Sequence, residues 1–269
     1  MTRQLPAGKP ARRRRRLGRL ISGVVIAAFG IALGVAPALA ADPLRGTTVP
    51  VRTVPVASDP AGSTPTAVTR SVDLSRDSAI VLQYTSYNCV PAAAQTMINL
   101  VTGASDRSRT TQTRLYAELQ RANLYDYASN GNDVRGWSRV LTARLGPSRT
   151  YADQSYTSRA AAFTAIVEAM DRTRRPVGIV VDEGRHAWTV VGFTVRETTG
   201  VPGSRVILGF TVVGPLGSPR DPWPKRYYTV DQLATRFTRY HEWQRSVPWE
   251  GKYVIVAPVW TSGAVTVSR

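Results

Sequence analysis

Apolar residues follow three rhythms along the chain. From Leu20 to Ala36 they run almost unbroken, from Val90 to about Arg172 they recur every three or four residues, and beyond Pro176 they gather in short β-branched runs. The middle rhythm predicts helices. The first covers Val90 to Leu100, with Pro91 in its first turn and Gly103 just past its end. The second covers Arg109 to Leu124, with Leu115, Leu119 and Ala122 on one face. A third follows Asn132 or Asp133 as N-cap and stops at Gly146-Pro147, and a fourth runs from about Ser158 to Arg172. The last rhythm predicts strands at Val177–Val181, Ala187–Val195, Val206–Val213 and Tyr253–Ala257. Thr199–Ser204 reads as a hairpin loop, and a short helix, Val230–Tyr240, interrupts the strands. Helices first and a mainly antiparallel sheet after them predict an α+β fold, with no internal repeat and no doubly wound sheet.

The unbroken run has a different meaning. It follows Arg3, Lys9, Arg12 to Arg16 and Arg19 with no acid among them, and it ends at Ala38-Leu39-Ala40. A basic region, an apolar region and an A-x-A site are the pattern of a secretory signal peptide, expected over residues 1–40 with cleavage after Ala40. An uncleaved anchor is the alternative, since the apolar run is at the lower edge of a membrane span. The consecutive arginines fit a twin-arginine signal only in part. Residues 41–73 are rich in Pro, Thr, Ser and Val and read as an extended linker. A packed unit is expected over 74–260, and a short tail over 261–269.

This organisation changes what the charge means. The whole chain of 269 residues is formally +17, which invites a nucleic-acid reading. Without residues 1–40, 27 basic residues face 18 acidic ones, a net +9. All but Lys9, Lys225 and Lys252 of the basic residues are arginines, scattered with no aromatic-interleaved stripe. The expectation is therefore no nucleic-acid partner, and a moderately basic exported unit able to rest against an anionic cell envelope. Membrane contact is expected only transiently, through the signal segment.

One cysteine and two histidines exclude an intramolecular disulfide and a Cys/His zinc cluster; no metal or cofactor is expected. The cysteine, Cys89, opens the first predicted helix, where unpaired N–H groups and the macrodipole favour a thiolate. Alone, a cysteine is as well explained as a small buried hydrophobe. His186 heads an apolar strand, whereas His241, in YHEW, reads as a solvated helix end. Trp137, Trp188 and Trp223 are candidates for a cleft wall or for the core.

Gln83 precedes Cys89 by six residues in QYTSYNC. That spacing, the Cys-x-Pro-Ala helix start in YNCVPAAAQTMINLVTG and the His-headed strand GRHAWTVVGF together resemble papain-like cysteine peptidases. The similarity is to the bacteriocin-processing (double-glycine) peptidase branch, and it covers about residues 75–258. The resemblance implies Cys89 as nucleophile, His186 as base, and Gln83 with the Cys89 backbone N–H as oxyanion donors. It further implies Asp221, in Asp221-Pro222-Trp223, as the residue orienting His186. Here the chain departs from the family pattern: Gly214-Pro215 stands at the strand end where relatives carry Asp-Pro. Asp182 is the alternative orienting carboxylate.

The leading expectation is thus an exported cysteine peptidase or related amide hydrolase acting on a peptide or protein. The same fold and triad order would serve an acyltransferase of transglutaminase-like or acetyltransferase-like type. A catalytically inactive, basic envelope- or partner-binding module is the third reading. Cell-wall amidases of the NlpC type fit less well, because their Asp-Cys-Ser motif is absent.

Overall fold

Two runs, VGIVV and YVIVAP, are apolar at every position. Strands of that kind must be covered on both faces, and the fold is built around this requirement. The computed structural model describes residues 65–126, 131–216, 224–242 and 246–260. The expected signal segment, residues 41–64 of the linker, Asp221, Trp223 and the C-terminal tail lie outside these residues.

The described elements are β1 (Ala67–Asp73), α1 (Cys89–Thr102), α2 (Arg109–Ala122), α3 (Val134–Leu145), β2 (Tyr151–Tyr156), α4 (Arg159–Thr173), β3 (Val177–Val181), β4 (His186–Thr198), β5 (Val206–Val213), β6 (Lys225–Thr229), α5 (Val230–Ala234) and β7 (Tyr253–Pro258). The class is α+β. Seven strands form one sheet in the order β2-β7-β3-β4-β5-β6, with β1 also beside β4, and every pairing is antiparallel. Among the described residues, no helix is long and apolar enough to cross a membrane.

Local chemistry sets the helix starts. The side chains of Ser108, Asp133 and Ser158 accept hydrogen bonds from the N–H groups of Thr111, Gly136 and Ala161 at the entrances of α2, α3 and α4. At the other end of α1, Gly103 adopts φ +80°, a left-handed stop that glycine takes without steric cost.

Helices α1 to α3 cover one face of the sheet and α4 covers the other. On the first face Met97, Leu115, Leu119, Trp137 and Leu141 pack against Val180, Val254 and Val256. On the second, Phe163, Ile166 and Met170 pack against Ile179, Val190, Phe210 and Ile255. Fully burying a side chain of this size contributes about 1.5–3 kcal/mol, so both layers are firmly held. Gly178 has a particular place between them: a Cβ there would meet the Trp137 ring 2.4 Å away. The bare backbone of β3 is what lets the α3 indole lie flat on the sheet.

Four elements differ from the sequence expectation. Residues 67–73, read as the end of the linker, form β1, because their backbone completes the edge of β4 from Gly192 to Thr198. Strands β2 and β6 carry no apolar alternation, with YADQSY and KRYYT at the two ends of the sheet. The helix expected over Val230–Tyr240 stops at Ala234. Beyond it the backbone bonds elsewhere: Arg236 O accepts from Asp182 N–H, and Tyr240 N–H donates to Lys252 O.

Candidate active site

The segment that enters α1 is fastened by a buried glutamine of α2. Gln112 is completely buried; its carbonyl oxygen accepts from Tyr84 N–H and from Asn88 Nδ2, and its Nε2 donates to Leu82 O. These bonds fix residues 82–88 and so fix the sulfur that follows. Cys89 is the first residue of α1, part-buried, and packed within the cluster that contains Val90 and Ala187. Burial pushes its thiol above the ordinary 9.0, while the backbone N–H groups of Ala187, Val90 and Cys89 itself pull the other way. Sequence inspection does not single out Gln112, since a glutamine on an amphipathic helix looks like a surface residue.

His186 is the first residue of β4, opposite Val181 of β3. The turn between these strands is left-handed over three residues, Asp182, Glu183 and Gly184, with φ of 54°, 61° and 95°. Such a run is costly for the two residues that are not glycine and needs outside support. The segment after α5 supplies it. Asp182 N–H donates to Arg236 O, Glu183 N–H to the Thr238 hydroxyl, and His241 N–H to Glu183 O. The Asp182 carboxylate takes two hydrogen bonds from the Arg236 guanidinium, at 2.8 and 2.6 Å. At Gly184 a Cβ would come within 2.9 Å of the Tyr240 ring.

His186 borders two adjoining clefts. One, of about 240 Å³, is shared with Cys89, and its wall includes Tyr87, Asn132, Asp133 and Tyr240. The other, of about 180 Å³, is lined by Trp188, Gly214, Arg226 and Arg236. The alternation of β4 explains the double exposure. Ala187 faces the α1 layer with Cys89, Trp188 faces the opposite layer, and His186 sits at the rim between the two. Its Nε2 is buried without a hydrogen-bond partner among the described residues, so no bond joins it to the Cys89 sulfur in this state. Burial lowers the imidazole below its ordinary 6.5; nearby Asp182 opposes this and Arg236 reinforces it. Burial thus disfavours the charged form of both thiol and imidazole.

The other residues singled out in the sequence have varied positions. Gln83 is outside both clefts: its N–H donates to Pro215 O and its Nε2 to Thr85 O, which leaves one amide hydrogen uncommitted. Trp137 is core, and Trp188 is buried beside His186, their rings 6.4 Å apart and nearly perpendicular. His241 pairs with Glu250 at 2.7 Å on the surface. Asp221 and Trp223 lie outside the described residues. A larger groove, of about 960 Å³, lies at the hairpin between β4 and β5, but it carries neither a thiol nor an imidazole. Among the described residues no cluster of His, Cys, Asp and Glu could hold a metal ion. No family model matches the chain, nor does any curated protein or solved structure.

Proposed function

We propose that the chain is an exported, papain-like cysteine hydrolase of peptide or related amide bonds, with Cys89 as nucleophile and His186 as general base. One observation carries this reading. The only thiol of the chain, at a helix entrance, and one of its two imidazoles, at a strand head, border the same cleft although far apart in sequence.

The charge states support a definite order of events. At neutral pH the uncharged imidazole accepts the thiol proton as the sulfur attacks the carbonyl carbon, so proton transfer and attack proceed together. The oxygen of the tetrahedral intermediate meets the Cys89 N–H and the free amide hydrogen of Gln83, after the Gln83 side chain turns from Thr85. The imidazolium returns its proton to the departing nitrogen. Water, activated by the same imidazole, then releases the acyl group and restores the thiol.

A second reading, that of a binding module, draws on a separate observation. Asp182, the carboxylate whose charge acts on His186, is already engaged by Arg236, and Gln83 is turned towards Thr85. Acylation by p-nitrophenyl acetate separates the cases. A hydrolase gives an acetyl adduct on Cys89 that forms quickly with His186 present and is cleared by water. An acyltransferase passes that acetyl group to an added amine in preference to water. A chain in which Cys89 acquires no acetyl group at neutral pH is a module.

A further inference from the structure

We propose that the Asp182–Arg236 ion pair is the orienting component of the His186 site, in the role that a carboxylate at the end of β5 would otherwise fill. The inference rests on the reading of His186 as a base and assigns two positioning residues to it.

The end of β5 leaves the role open. Gly214, one residue beyond β5, lines the His186 cleft, and a Cβ there would meet the Trp188 indole nitrogen at 3.1 Å. Trp188 therefore occupies the space a longer side chain would need. Asp182 stands at the start of the left-handed turn, directly after Val181, the residue opposite His186. The pair reaches His186 by two routes. Through the backbone, Asp182 N–H and both carboxylate oxygens bind Arg236, and Arg185 N–H closes the turn on Asp182 O, fixing where β4 begins. Through the side chains, the Arg236 guanidinium lies 5.3 Å over the Trp188 ring, and that ring meets the His186 imidazole edge to face.

A half-exposed ion pair contributes little to stability on its own. Beside an imidazole that burial deprives of water, it does more: two opposite charges act on His186 from one clamped geometry. The other ionisable groups near the imidazole are Tyr87, Cys89, Asp133 and Tyr240 across the first cleft, and Arg226 and Tyr228 across the second. On the turn itself, Glu183 and Arg185 pair with each other.

The chain has two histidines, so proton NMR resolves each titration, and His241→Gln assigns them. Asp182→Asn removes a charge that favours the imidazolium, and asparagine tolerates the left-handed backbone at this position. The His186 midpoint is expected to fall. Arg236→Gln removes a charge that opposes the imidazolium, and the midpoint is expected to rise. The double variant is expected to return towards the parent value, and Arg236→Lys to stay near it. The acid limb of Cys89 acylation by p-nitrophenyl acetate is expected to move in the same directions.

A merely structural pair would not shift the two single variants oppositely. Shifts of the same sign, or none, in a parent chain that is acylated overturn the role of the pair alone. A midpoint that falls as far or further with Asp221→Asn gives the role to Asp221 and also overturns it. A parent chain that is not acylated overturns the hydrolase reading, and with it any catalytic meaning of the pair.

Discussion

Removing the His186 imidazole changes the chemistry available to Cys89 by an amount that follows from the environment of the two groups. A thiol at the ordinary value of 9.0 is about 1% thiolate at pH 7, and burial reduces that fraction further. An imidazole at the ordinary value of 6.5 is about three-quarters uncharged at pH 7, and burial raises that fraction. In the proposed pairing the parent has its base ready and its nucleophile protonated, and general-base catalysis would supply roughly 10²–10⁴ in rate. In His186→Ala, acylation must use the thiolate fraction alone. The expected loss at pH 7 is at least about a hundredfold, shrinking by about tenfold per pH unit as the thiolate grows. The parent is expected to show a plateau above neutrality and an acid limb below pH 6.5. The assay is release of p-nitrophenolate from p-nitrophenyl acetate between pH 5 and 9, with Cys89→Ala as the blank and the adduct located by mass spectrometry. A variant within about threefold of the parent at pH 7, or a parent rate climbing about tenfold per unit with no plateau, refutes the pairing of these two residues.

Gln83→Ala is expected to slow acylation by roughly 10²–10³, the effect of losing one oxyanion donor, with a thermal midpoint near that of the parent; an unchanged rate removes Gln83 from the site. Gly178→Ala places a methyl group against the Trp137 ring and is expected to cost about 1–3 kcal/mol or more, read from the urea midpoint; an unchanged midpoint would show that the ring has room to move. For Asp153, burial raises the carboxyl but hydrogen bonds from Arg135, Ser138 and Trp249 outweigh it and hold it below its ordinary 3.8. A group lowered on folding stabilises above its unfolded value and loses that contribution as pH falls through the folded one. Asp153→Asn is therefore expected to cost roughly 1.5–3 kcal/mol at pH 7 and to flatten the decline in stability below about pH 4; a decline as steep as the parent's would remove Asp153 from the acid transition.

The helices were the most legible part of the fold. Ser108, Asp133, Ser158 and Gly103 are local signals, and a residue that satisfies a helix end does so whatever packs around it. Strands β3 and β5 were equally plain, being short and β-branched. Strands β1, β2 and β6 were not, because their stability comes from a partner strand instead of an apolar pattern. YADQSY, for instance, is a strand because Tyr151 to Tyr156 lie opposite Pro258 to Tyr253. Of the candidate site, Cys89 and His186 were legible, since their element and order could be read directly. What surrounds them was not. Gln112 holds the entrance to α1 through long-range bonds, and Arg236 reaches Asp182 from a segment that looked helical. Pairings of that kind are made by the tertiary fold and leave no local trace.

Strand β4 has thirteen residues and shares one of its edges between two partners. Its first five residues, His186 to Val190, are zipped to β3, whose neighbour in turn is β7. From Gly192 onward that edge belongs to β1, the first described strand of the chain. The two stretches are therefore separable. Losing β1 would bare the backbone donors and acceptors of the far half, an adhesive edge for another chain. The end that carries His186 would keep its pairing with β3, and with β5 from Thr189 onward. Trimming ahead of Leu74 would thus trade solubility while sparing the imidazole, so aggregation and the geometry around His186 can fail independently in this fold.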